Sequence, residues 1–207
     1  MIIIVSGHRR SGTSCMTRAL LNGLGSGTGW GLLTQPHQEE LNQEVDGYRP
    51  NPGPLYEVGR MYYTSAKFLR MMPDKSLVKI FWDGLTNIPS GEYVIVFMER
   101  DEEEINQSIA RSDAHLRSVG VPENKPTPFT FDVFRPYNRD DIEHVKGIMR
   151  ERRDVTLIDI NYRDLIEDPR KTLESIKYSV LGKERVPIDI EKAAAVIKPE
   201  FYRIRKE

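Results

Sequence analysis

Ile2-Ile3-Ile4-Val5-Ser6-Gly7-His8-Arg9-Arg10-Ser11-Gly12-Thr13-Ser14 is the stretch that decides the fold. A run of β-branched residues stops at a glycine. After Gly12 an apolar repeat begins at Met16, Leu20 and Leu24. This order predicts a buried strand, a tight turn and the N-terminus of a helix. Gly7 and Gly12 have the spacing of a P-loop, and Ser14 falls at that motif's Ser/Thr position. Thr13 stands where the P-loop lysine belongs. A strand–turn–helix junction of this kind aims backbone N–H groups and the positive end of the helix at an anion. The hydroxyls of Ser11, Thr13 and Ser14 add donors, and Arg9 and Arg10 add charge. The plain alternative is a tight turn carrying two solvated arginines. Seven consecutive glycine or donor-bearing residues, His8 to Ser14, favour a phosphate-like ligand.

In P-loop NTPases the missing lysine reaches the β- and γ-phosphates, and a carboxylate beyond another strand helps to hold Mg²⁺. Glu99, closing Val94-Ile95-Val96-Phe97-Met98, is placed to imitate that carboxylate. Without the lysine, the nucleoside-triphosphate reading is weakened but stays open.

The surrounding chain repeats the theme. Ile2 to Val5, Leu77 to Phe81, Tyr93 to Met98 and Val155 to Ile160 are short apolar runs, as expected of parallel strands covered on both faces. Helical repeats lie between them: Val58, Met61, Tyr62, Leu69 and Met72 ahead of Pro73; Ile105, Ile109 and Leu116; and Leu173, Ile176, Val180 and Leu181. The last follows Asp168-Pro169, an N-cap with proline at the first helical position, and Gly182 is placed to end it. Alternating strands and helices predict a three-layer α/β sandwich around a mainly parallel sheet, with P-loop-like architecture. Two irregular stretches, about residues 23–54 and 118–137, read as loop insertions in one domain spanning 1–207. In such sheets, loops of this kind close over ligands beyond the strand C-termini; ordinary surface loops are the alternative.

Composition narrows the class. The 207 residues carry 30 Lys+Arg against 31 Asp+Glu, so a generic polyanion or anionic-membrane binder is disfavoured. No basic patch interleaved with aromatics points to nucleic acid. No apolar run approaches ~18 residues, and the opening lacks the pattern of a signal peptide. The single cysteine, Cys15, fits a reducing compartment, and with the four histidines shows no zinc spacing. A soluble cytoplasmic domain is the expectation.

Arg9-Arg10-Ser11-Gly12-Thr13-Ser14 resembles the x-[KR]-S-G-T-[ST] loop of sulfotransferases that use 3′-phosphoadenosine 5′-phosphosulfate (PAPS). Three further stretches match that family in order. Phe97-Met98-Glu99-Arg100-Asp101, leading to Ser108, is similar to the segment whose Arg and Ser bind the 3′-phosphate. Leu77-Val78-Lys79-Ile80 resembles the strand whose lysine approaches the transferred sulfuryl group. Asn161 to Pro169 resembles the Y-E-D-L-x-x-D-P segment, whose tyrosine lies near the adenine. The resemblance spans residues 2 to 181. It implies that Ser11, Gly12, Thr13 and Ser14 hold the 5′-phosphate, with Arg9 and Arg10 among the cofactor-binding residues, and that Arg10 takes the place of the catalytic Lys or Arg. It further implies that Arg100 and Ser108 take the 3′-phosphate, that Tyr162 meets the adenine, and that the product is 3′,5′-ADP.

There are departures. Phe81 stands where cytosolic members carry the histidine base, and Cys15 replaces a tryptophan that stacks on adenine. Arg205-Lys206 only echoes their C-terminal R-K-G, and whether Arg203, Arg205 and Lys206 reach the 3′-phosphate is open. The chain looks more like the short bacterial-type branch, in which a loop glutamate serves as base.

The chemistry asks for cations around a bridging oxygen and for a base. Arg10 and Lys79 would meet the charge, with no obligatory metal; Lys79 can equally be read as a strand-end lysine reaching solvent. Arg100 would fork onto the 3′-phosphate, or pair with the acidic run Asp101 to Glu104. Tyr162 could simply pack on the sheet. Among His37, Glu39, Glu40, Glu44 and Glu57, the last is favoured as base, because Asn51-Pro52-Gly53-Pro54-Leu55-Tyr56-Glu57 resembles N-P-x-G-[FY]-[FY]-E. Sulfuryl transfer to a hydroxyl or amine of a small-molecule or glycan acceptor is the leading expectation. A kinase-like phosphotransferase and a non-catalytic nucleotide binder are the alternatives.

Overall fold

The computed structural model describes residues 1–33, 73–118, 138–181 and 188–201. Among these, five strands form one sheet: β1 Ile2–Gly7, β2 Gly31–Leu33, β3 Ser76–Lys79, β4 Tyr93–Glu99 and β5 Val155–Asn161. Their order is β2-β3-β1-β4-β5, and every pairing is parallel. The first strand therefore lies at the centre, with β3 and β4 on either side. In register, Val5 faces Lys79 and Gly7 faces Met98, so the loop after β1 emerges between the C-terminal ends of β3 and β4.

The continuous apolar reading of the strands has a simple cause: both faces are covered. Ile3, Val5, Leu77, Val94, Val96 and Met98 pack under α1 (Thr13–Leu24), α4 (Tyr162–Glu167), α5 (Pro169–Leu181) and α6 (Ile190–Ala194). Ile2, Ile4, Val78, Ile95 and Phe97 point the other way, against α3 (Arg139–Glu151) and the 3₁₀ turn Trp82–Asn87. Two helical layers and one parallel sheet make the expected three-layer α/β fold. The remaining long helix, α2 (Glu102–Ser118), follows β4.

Several boundaries differ from the sequence reading. β3 ends at Lys79, and Phe81 already adopts extended backbone at the start of the 3₁₀ turn. β2 lies inside the stretch expected to be irregular; it has only three residues, too few to show a period. Periodicity alone does not reveal α3, α4 and α6. Their caps are visible in hindsight: Asn138 accepts from the N–H groups of Asp140 and Asp141, and Asn161 accepts from that of Arg163. The Asp168 cap holds as expected, accepting from the Lys171 N–H at 3.1 Å. The expected helix over 58–72, Gly182 and most of both loop insertions lie outside the described residues. Among the described residues no helix is long and apolar enough to cross a membrane.

One polar knot ties the sheet's N-terminal edge. The Arg152 guanidinium grips both carboxylate oxygens of Asp154 and donates to the carbonyls of Ile88 and Pro89, while the Gly91 N–H donates to Asp154. Hydrogen bonds from Arg152 first, and then from Gly91, hold the Asp154 carboxyl well below the usual carboxylate range. A carboxyl depressed in the folded state stabilises above its unfolded pKa of about 3.9, and that contribution fades as pH falls through the folded value. Asp154→Asn should therefore lower the urea midpoint at pH 7 and converge on the parent towards pH 2. A gap that does not change with pH would contradict this.

Candidate functional site

The turn between β1 and α1 is shaped by two positive-φ glycines. At Gly7 (φ 142°) a Cβ would come within 2.5 Å of the Met98 carbonyl oxygen. At Gly12 (φ 97°) it would meet the Tyr162 ring at 2.2 Å. Both glycines are thus demanded by close approach as well as by backbone angle. Between them Arg10 also adopts a left-handed conformation, φ 67°. For a non-glycine residue that conformation costs on the order of 1–3 kcal/mol and needs support from its surroundings.

The support is direct. The Arg100 Nη1 donates to the Arg10 carbonyl at 3.0 Å, and the Arg10 Nε donates to Ser108 Oγ at 2.9 Å. Arg100 lies one residue beyond β4, and its guanidinium sits 5.1 Å from the centre of the Tyr162 ring. Tyr162, buried at the start of α4, is wedged between Gly12 and Arg100. Loop, α2 and α4 are therefore clamped together by the residues that the resemblance assigns to the nucleotide.

Lys79 reaches the same loop from the other side. It ends β3, shares the α1 face with Val5, and is only 2% exposed. Its Nζ donates to Ser14 Oγ at 3.0 Å and lies 5.5 Å from the centre of the Phe81 ring. It does not reach out to solvent as a strand-end lysine would. A buried ammonium from the neighbouring strand thus lies against a loop that has no lysine at position 13.

Other expected residues have different company. The Ser11 hydroxyl, wholly buried, donates to the His8 carbonyl at 2.6 Å and braces the turn from within. Thr13 is buried at the first position of α1, and Arg9 is half-buried. Asp101 accepts from the N–H groups of Glu103 and Glu104, so the acidic run is the start of α2. Its Glu104 is also the partner of Arg100: Oε2 accepts from the Arg100 Nε at 3.0 Å, and Oε1 accepts from the Arg163 Nη2 at 3.1 Å. This Arg100–Glu104 pair is buried rather than a surface pair. Pairing of Arg100 with the acidic run ending at Glu104 is the alternative that the sequence offers, whereas the bridge from Glu104 to Arg163 is not expected from it. The signal was present: Arg163 occupies the glutamate position of the family's Y-E-D-L, and Glu104 lies four residues after Arg100. His37, Glu39, Glu40, Glu44 and Glu57 lie outside the described residues, as do Arg203, Arg205 and Lys206.

Glu99 does not turn towards the loop. It pairs with Lys146 of α3, which also holds Glu143 and Asp159, each at 3.0 Å. Burial alone would lower the Lys146 pKa, but its hydrogen bonds to Glu99, Asp159 and Glu143 leave it raised. The carboxylate that a magnesium-dependent reading would use is thus committed on the opposite face of the sheet. Among the described residues no group of three or more His, Cys, Asp and Glu is arranged to hold a metal ion. Trp82 is core, Trp30 packs partly buried against the α1-side core, and His144 is exposed.

Cys15, the second residue after the loop's Thr13, is pushed up to about 12 by burial, against a smaller opposing effect of Arg18. Only a thiolate alkylates. At pH 8, iodoacetamide should label native Cys15 at least ~100-fold more slowly than the unfolded chain. Equal rates would show that the α1 N-terminus opens readily.

No family model matches this chain, and no curated protein matches it. Nine solved chains do. One is a retinol dehydratase in complex with androsterone and the inactive cofactor PAP, 15% identical, with a TM-score of 0.43. The match covers 97% of this chain, which spans 64% of the length of that one.

Proposed function

We propose that this protein is a sulfotransferase that uses PAPS as donor and a hydroxyl or amine of a small molecule or glycan as acceptor. The observation that carries the reading is the bond from Lys79 to Ser14. A P-loop-spaced turn without its own lysine has a buried ammonium delivered to its terminal hydroxyl from the adjacent strand. The motif resemblance and the convergence of Arg10, Arg100 and Ser108 support it.

The residues fit such a ligand. The loop N–H groups at the α1 N-terminus, with Thr13 and Ser14, suit a 5′-phosphate. Arg100 and Ser108 suit a 3′-phosphate, the group that separates PAPS from ATP. Tyr162, packed between Gly12 and Arg100, would bound the site. When bound, PAPS would supply the sulfuryl group, whose sulfur–oxygen bond to the 5′-phosphate breaks as a new bond to the acceptor oxygen or nitrogen forms. Lys79 and Arg10 would stabilise the electron pair left on the phosphate oxygen. Glu57, our choice of base, would take the acceptor's proton, a step worth ~10²–10⁴ in rate.

The test is incubation with sulfur-labelled PAPS and a panel of alcohols, phenols, amines and sugars. We expect label on at least one acceptor without added metal. Nucleotide binding with no acceptor labelled would instead favour a non-catalytic binder.

A further inference from the structure

The Glu104 carboxylate is 2% exposed, and it bridges two arginines that come from different parts of the chain. On one side it accepts from Arg100 Nε, on the other from Arg163 Nη2. Arg100 in turn lies over Tyr162, the residue before Arg163, and donates to the carbonyl of the strained Arg10. Glu104 and Ser108 are four residues apart on α2, hence on one helix face. One carboxylate thus links the segment after β4, the start of α4 and, through Arg100, the loop.

We propose that Glu104, braced by Arg163, is a positioning residue for the anion site: it fixes the Arg100 fork in the orientation that meets a phosphate. This rests on the proposed nucleotide reading and adds to it a residue that touches no ligand. Two effects of Glu104 oppose each other, and this gives the proposal its test. Arg10, Arg100 and Arg163 bring three positive charges, and Glu104 cancels one. If only summed charge mattered, neutralising Glu104 would tighten binding of an anion. If orientation matters more, neutralisation weakens it. A glutamine at 104 has one carbonyl oxygen for two guanidinium groups, and its amide N–H₂ confronts the other donor. Arg100 then loses a charge-assisted bond and turns.

The experiment is calorimetric titration of the whole chain with 3′,5′-ADP and with 5′-AMP, which lacks the 3′-phosphate. For Glu104→Gln we expect the Kd for 3′,5′-ADP to rise at least ~10-fold, with 5′-AMP within ~2-fold of the parent. In Arg100→Ala the same substitution at 104 should add no further loss, because Glu104 acts through Arg100. Arg163→Gln alters the half-exposed end of the bridge and should weaken 3′,5′-ADP in the same direction by less. That variant keeps the question answerable if Glu104→Gln fails to fold.

Tighter or unchanged 3′,5′-ADP binding in Glu104→Gln, equal losses for both nucleotides, or full additivity with Arg100→Ala would each overturn the positioning role. A parent protein that does not prefer 3′,5′-ADP over 5′-AMP would instead overturn the functional reading beneath it.

Discussion

Lys79→Met should lower turnover by about 10²–10³-fold while leaving 3′,5′-ADP affinity within a few-fold of the parent. Lys79 is buried at the end of β3 with its ammonium 3.0 Å from Ser14 Oγ. In the proposed reaction that ammonium faces charge that appears on the leaving oxygen only as the sulfuryl group departs. Removing such a group costs rate rather than ground-state binding. Methionine keeps the volume and the apolar stem, so a packing defect does not cloud the result. Removing a buried charge together with its desolvation cost should leave the thermal midpoint unchanged or slightly higher. Steady-state rates with labelled PAPS and any competent acceptor measure the effect. Undiminished turnover would make Lys79 a structural lysine.

Gly12→Ala should destabilise the protein by about 2–5 kcal/mol, combining left-handed backbone strain with overpacking. An alanine there would carry φ 97° and drive its methyl to 2.2 Å from the Tyr162 ring. That ring cannot simply withdraw, because it is buried as part of the α1-side core and lies against Arg100. The urea midpoint reports the cost. Adding Tyr162→Leu should restore the steric part and leave the strain. A Gly12→Ala protein within ~0.5 kcal/mol of the parent would mean that the loop shifts freely, and that its pinning by Arg100 counts for little.

How much of this was legible in the sequence follows from what each residue's role depends on. Ile2 to Ser14 encodes strand, turn and helix through local steric demands, and those demands are met where expected. The covered faces of β1 and β4 could be read because an apolar run flanked on both sides carries its own signature. For Glu104 and Arg163 only half of the arrangement is legible, the four-residue spacing of Glu104 from Arg100. Glu104 sits in an acidic run that suits a helix start equally well, and only the fold brings Arg163 to it across 59 residues. Lys79 was read as either a site cation or a solvent-seeking strand end. Burial and the contact with Ser14 are tertiary facts that remove the second and leave the first as a proposal. Glu99 illustrates the reverse: its position after an apolar strand imitates a metal-binding carboxylate, while Lys146, 47 residues away, holds it on the other face. Ser11 shows the same limit within one loop, since its hydroxyl turns inward to the His8 carbonyl.

The central claim is that the loop, Lys79, Arg100 and Ser108 form a site for a 3′-phosphorylated adenine nucleotide. The most direct measurement is the thermal midpoint of the protein with saturating 3′,5′-ADP, ADP or ATP, each with and without Mg²⁺. Binding to the folded state raises the midpoint in proportion to the logarithm of ligand over Kd. The account predicts the largest shift with 3′,5′-ADP, undiminished by chelator, and a smaller one with ADP and ATP. A larger shift with Mg·ATP than with 3′,5′-ADP would contradict it.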